Sequence, residues 1–272
     1  MSKLKKALEK AKEAREQEGE SMVWEETSPS GNVQAAVSGE FERRDINPTY
    51  HSTKIVEVDP DYLRREKVIS LCTDNQVADQ IKILRTQILK VMKAFTGNSL
   101  LITSPRPGEG KTLTAINLAL SVCQELDRTV LLVDTDLKTP SVHRYFGFNG
   151  VPGLSDYLKA RADIQDLLLN PGIRRLTILP AGKPMRSSSE FLGAPRMESL
   201  VKEMRERYPE RFIIFDSPSL LSYADPLVFS KFVDAVLLVV ASEKTSRQDL
   251  KRSLELLEGR PLIGTVLNRY PN

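Results

Sequence analysis

The sequence predicts an α/β fold: a mostly parallel twisted sheet with helices on both faces, preceded by a helical and disordered N-terminal segment. Three observations carry this. Six short β-rich apolar runs recur at residues 100–103, 129–133, 176–179, 212–215, 235–240 and 262–267. Helical patterns separate them, and strands alternating with helices build parallel sheets covered on both sides. A glycine-bearing turn at residues 104–112 follows the first run and opens straight into a helical pattern.

Along the chain, residues 2–18 alternate lysine and glutamate around Leu4, Ala7, Leu8 and Ala11, the spacing of a short amphipathic helix, assigned here as residues 1–18. Residues 19–74 show no sustained periodicity and are punctuated by Asn47-Pro48 and Asp59-Pro60, which predicts a largely disordered linker. From 75 to 272 a single nucleotide-handling domain is expected. It opens with a helix whose apolar face carries Ile81, Leu84, Ile88, Val91 and Phe95 at steps of three and four.

Composition narrows the function. The 272 residues hold 39 basic and 36 acidic side chains, a net charge of +3, too small for a nucleic-acid surface. The two cysteines, Cys72 and Cys123, lie far apart and suggest neither a zinc site nor a disulfide framework. A cytoplasmic protein is expected, and since the longest apolar run falls far short of the about 20 residues of a membrane helix, any membrane association is expected to come through a partner or a surface contact.

The turn reads Pro107-Gly108-Glu109-Gly110-Lys111-Thr112. Between a strand and a helix this is a P-loop. Glycines let backbone N–H groups face phosphate oxygens, and the helix N-terminus adds a positive dipole end. Lys111 is expected to neutralise phosphate and Thr112 to ligate Mg²⁺ delivered with ATP. Two further runs end in aspartates, Asp134 and Asp136 after the second and Asp216 after the fourth. In a parallel sheet all carboxyl ends open on one edge, so the three carboxylates should face the P-loop. There they bind magnesium or orient the attacking group.

With these stretches, and with Leu131 to Lys138, Phe212 to Pro218, Leu179 to Gly182 and Val266 to Asn268, the chain from about Ser70 onward resembles the bacterial P-loop tyrosine kinases. It is most similar to the autokinases of exopolysaccharide loci, and more distantly to MinD/ParA-type ATPases. The resemblance implies a protein-tyrosine autokinase regulating exopolysaccharide synthesis or export, with Lys111, Asp134 and Asp136 catalytic. Nucleotide is then held by residues 107–112 and by Asn268 near the adenine, and magnesium by Thr112, Asp136 and Asp216. It further implies a membrane-embedded polysaccharide chain-length determinant as activator, and a homo-oligomer formed through Asp79, Lys82 and Arg85.

Some positions depart from the family. Lys138 stands where arginine is usual, and Tyr270 alone follows the last strand in place of a tyrosine cluster. Tyr50 and Tyr62, in the expected linker, are therefore acceptor candidates beside Tyr270. The alternative is an ATPase switch of the MinD/ParA type, whose signature lysine position holds Arg106 here.

Overall fold

The computed structural model describes residues 53–70 and 76–270. The expected amphipathic helix, Tyr50 and Cys72 lie outside the described residues. Strand β1 (Lys54–Ile55) leads to helix α1 (Pro60–Arg65). Pro60 occupies the first turn of α1, and the Asp59 side chain accepts the Asp61 N–H at 2.9 Å. Next come α2 (Gln76–Ala94), β2 (Ser99–Thr103), α3 (Lys111–Val122), β3 (Thr129–Asp134), α4 (Val142–Tyr145), α5 (Leu154–Leu158) and the two-residue β4 (Leu169–Asn170). The remainder is β5 (Leu176–Leu179), α6 (Ser188–Leu192), α7 (Pro195–Arg207), β6 (Arg211–Asp216), α8 (Asp225–Phe229), β7 (Ala235–Ala241), α9 (Arg247–Leu256) and β8 (Leu262–Asn268).

The strands form one sheet in the order β1-β4-β5-β3-β6-β2-β7-β8. The six predicted strands are β2, β3, β5, β6, β7 and β8, and they run parallel. At one edge β4 pairs antiparallel with β5, and β1 runs parallel to β4. Alternate residues of each strand feed two separate cores. Leu100, Ile102, Val130, Leu132, Phe212 and Ile214 pack with Ile116 and Leu120 of α3 and Ile88 and Met92 of α2. Leu101, Leu131, Val133, Ile213 and Phe215 meet Leu200, Val201 and Met204 of α7 and Phe229 of α8 on the other face. Burying each such large side chain contributes about 1.5–3 kcal/mol, enough to fix strand register, since a one-residue slip would exchange the faces. Among the described residues no helix is long and apolar enough to cross a membrane.

Two expectations need correction. The first is the linker, of which residues 53–70 are structured: β1 joins the sheet, and Leu63 and Val68 are buried in the core. The tie is Asn117, buried on α3. Its Oδ1 accepts the N–H groups of Ile69 and Ser70 and the Ser70 hydroxyl, while its Nδ2 donates to the Lys67 and Leu113 carbonyls. A two-residue strand leaves no periodicity to read, and a single asparagine 47 residues away supplies the anchor. Asn117→Ala strands several buried polar groups, each worth about 1–3 kcal/mol. Lower thermal stability and faster amide exchange over residues 53–70 are the expected results; unchanged exchange there would contradict the assignment.

The second concerns α2. Ile88 is buried as predicted, but Val91 and Phe95 are exposed, and Ala78 and Met92 complete the packing face instead. That rotation turns Arg85 inward, where it donates to the Ser121 carbonyl at 2.8 Å and pairs with Glu125 at 2.9 Å. Asp79 and Lys82 pair with each other on the surface at 2.9 Å. Of the three charges expected to contact a neighbouring subunit, Arg85 is thus committed to its own chain.

Candidate active site

The P-loop joins β2 to α3, and its conformation depends on two glycines with positive φ, Gly108 at 75° and Gly110 at 96°. A Cβ on Gly110 would lie 2.0 Å from Asn268 Nδ2, so only glycine fits there. The loop is braced from beneath. The Glu109 side chain, fully buried, accepts the Arg106 N–H at 2.8 Å and the Thr245 hydroxyl at 2.5 Å. Lys244 donates to the Pro107 and Gly108 carbonyls, each at 3.2 Å. Asn268 donates to the Glu109 carbonyl at 2.9 Å, and its own Oδ1 accepts the Arg269 N–H. Both ends of the Asn268 amide are therefore engaged within the chain, where it holds the end of β8 against the loop. Lys244 and Thr245 escaped the sequence reading because their positions, just after β7, carry no motif.

The three aspartates converge as expected. Asp134 and Asp216 face each other across the paired strands β3 and β6. Asp216 Oδ2 accepts the Thr112 hydroxyl at 2.7 Å, and Lys111 Nζ lies 3.1 Å from Asp136 Oδ2 and 3.3 Å from Thr112 Oγ1. Asp136 is anchored by the Thr139 N–H at 2.8 Å. Asp134 plays a different part, because it accepts the N–H groups of Asp136, Ser141 and Val142, each at 3.1 Å, and so shapes the loop that carries Asp136. A cavity of about 300 Å³ opens over Lys111, Thr112 and Asp136, with Ser141, Tyr145 and Tyr223 in its walls.

All three carboxylates are essentially buried, with Lys111 the adjoining cation. Burial pushes the Asp216 carboxyl up to about 6 although Lys111 and Thr112 act in the opposite direction. Asp134 is raised well above the usual carboxylate range by burial and by its two acidic neighbours. Burial opposes the Lys111 ammonium, but Asp216, Asp136 and Asp134 together raise its pKa. Asp216 Oδ1 is moreover buried without a hydrogen-bond partner. A buried carboxylate oxygen of this kind calls for a cation, and an oxygen-rich set of Thr112, Asp136 and Asp216 suits magnesium.

A parallel sheet with a P-loop after one strand and carboxylates at the ends of two neighbours defines a P-loop NTPase. No family model matches the chain. The tyrosine-protein kinase YwqD of Bacillus subtilis is 31% identical over 193 residues, which span 70% of this chain and 80% of that protein. The tyrosine-protein kinase ptk of Acinetobacter johnsonii is 26% identical over 198 residues, 72% of this chain but 27% of its own length. The crystal structure of the chimerical protein CapA2B2 superposes with a TM-score of 0.71 at 28% identity, covering 83% of this chain and 96% of that one. The chain belongs to the bacterial tyrosine-protein kinases. It spans about a quarter of the longer relatives it matches and most of the shorter ones. The septum site-determining protein MinD of Pyrococcus horikoshii, solved with Mg-ADP, shares the fold more distantly, with a TM-score of 0.53 at 26% identity over 64% of this chain and 70% of that one.

Proposed function

We propose that this chain transfers the γ-phosphoryl group of ATP to protein tyrosine, and that the reaction regulates exopolysaccharide synthesis or export. The observation that carries the reading is that Lys111, Thr112 and Asp136 line one cavity at the carboxyl edge of the sheet, with Asp216 joined to Thr112 by a hydrogen bond. With nucleotide bound, Lys111 would leave Asp136 for the phosphates, and the backbone N–H groups of residues 108–112 would cradle them. Thr112, Asp136 and Asp216 hold magnesium, which offsets charge on the transferred group when bound. Asp136, released from Lys111, is placed to accept the proton of the incoming tyrosine hydroxyl, and Asp134 keeps it in position.

The acceptor is narrowed by packing. Tyr62 lies against the domain, with its hydroxyl donating to the Arg144 carbonyl at 2.8 Å. It is no free linker tyrosine, which leaves Tyr270, 68% exposed, as the accessible candidate among the described residues. The proposed setting is cytoplasmic, beneath a membrane-embedded chain-length determinant that activates the kinase, with self-association through the α2 surface that presents Asp79 and Lys82.

The MinD/ParA alternative needs Arg106 to reach a partner's nucleotide. Here Arg106 is paired within the chain to Asp249 of α9 at 2.8 Å, which favours the kinase. Incubation with γ-labelled ATP and Mg²⁺, followed by phosphopeptide mapping, tests the reading. Phosphotyrosine on Tyr270 or on an added tyrosine substrate is the expected result. Release of free phosphate with no labelled tyrosine, even with the activating partner present, would replace it with the switch.

A further inference from the structure

Beside the active site lies a second cavity of about 220 Å³, walled by Pro140, His143, Arg144, Lys183 and Pro184 together with glycines of the adjoining loops. Among the described residues no acidic side chain lines it. The nearby Asp156 carboxylate is engaged with the Gly153 N–H at 3.0 Å. Arg144 and Lys183 are exposed, and among the described residues neither is ion-paired. The two flanking stretches, residues 137–145 and 181–187, add Lys138 and Arg186 and contain no aspartate or glutamate. His143 adds a ring nitrogen for hydrogen bonding; burial and the neighbouring Arg144 hold its pKa below the ordinary value. A concave, cationic, unpaired surface is built for an anion.

Its position says which anion. One segment walls both cavities: Thr139, Ser141 and Tyr145 face the active site, while Pro140, His143 and Arg144 face the second cavity. An extended peptide advances about 3.4 Å per residue, so a chain with its tyrosine at Asp136 carries its flanking residues along the segment that separates the two cavities, toward the side walled by Arg144 and Lys183. We propose that this cavity reads a carboxylate flanking the acceptor tyrosine, which makes acidic tyrosine peptides the preferred substrates. The inference rests on the tyrosine-transfer reading above.

The test uses two fluorescent peptides that differ only in glutamate or glutamine at the three positions on each side of one tyrosine. Binding is measured by polarisation in the presence of Mg-ADP, and transfer with γ-labelled ATP. Wild type should bind the glutamate peptide about tenfold more tightly, as two partly exposed charge contacts would give, with an advantage that shrinks as salt rises. Arg144→Glu/Lys183→Glu should abolish the preference while leaving Mg-ADP affinity and melting temperature near wild type, and Lys183→Ala should weaken it partway. Equal affinity for both peptides in wild type, or a preference that survives in the double variant, overturns the proposal. Discrimination in binding with no label on either peptide supports the anion site and counts against tyrosine transfer. Equal binding with label on both peptides does the reverse.

Discussion

Asp216→Asn is expected to raise the melting temperature of the nucleotide-free protein at pH 7.5 while weakening its magnesium-dependent affinity for nucleotide. The carboxyl of Asp216 is fully buried, and its pKa is pushed up to about 6 from an ordinary 3.8. Its folded-state pKa lies above its unfolded one, so between those values the folded chain binds more protons than the unfolded chain. Stability from this group is complete below about pH 4 and declines as pH rises through about 6. A shift of that size corresponds to on the order of 3 kcal/mol at neutral pH, which an uncharged isostere relieves. For a domain of this size each kcal/mol moves the midpoint by roughly 2–4 °C. The variant should also lose the acid-side stabilisation of the wild type, so that its melting temperature varies less between pH 4.5 and 7.5. Weakening of the metal site should cost about 10–100-fold in Mg-ADP affinity, with a corresponding loss of transfer. Calorimetry with and without Mg-ADP reads both effects. A variant that melts below wild type in the absence of nucleotide would show that the buried carboxylate stabilises the empty site.

Lys111→Ala has the opposite sign for stability and the same sign for activity. The ammonium, 14% exposed, is the cation beside Asp136, itself 1% exposed, and it also acts on Asp216 and Asp134. Its removal leaves buried carboxylates uncompensated, a loss that reaches about 3–5 kcal/mol where the charge cannot be relieved by protonation. Part of the penalty is avoided because Asp134 and Asp216 already take up protons readily. Phosphoryl transfer should fall by at least about 100-fold, the scale for deleting one preorganised charge partner of a transition state. Adding Asp216→Asn to Lys111→Ala should restore melting temperature without restoring transfer, because the two side chains share one electrostatic network and their effects are not additive. Strict additivity in the double variant would mean that Lys111 and Asp216 do not sense each other.

Asp216 and Lys111 together describe a site that is costly to fold empty and is completed by a cation and a polyanion. Such local destabilisation is common where binding groups must stay buried and charged. It also explains the many braces around the P-loop. Glu109, Thr245, Lys244 and Asn268 hold from below a loop whose upper surface must remain free for phosphate.

Six parallel strands, the P-loop and the convergence of Asp134, Asp136 and Asp216 on its edge of the sheet were all legible in the residues alone. Those features follow from local periodicity, glycine chemistry and one topological rule: the carboxyl ends of parallel strands share an edge. Other features depend on partners remote in the chain and emerge only on folding. Asn117 anchors residues 67–70, Glu109 finds Thr245, and Arg85 turns toward Glu125, because each polar group buried by packing must take whatever complementary atom the fold brings within reach. The division of labour among the aspartates has the same origin. In sequence Asp134 and Asp136 look equivalent, but the pleat of β3 and the turn after it aim one at backbone N–H groups and the other at Lys111.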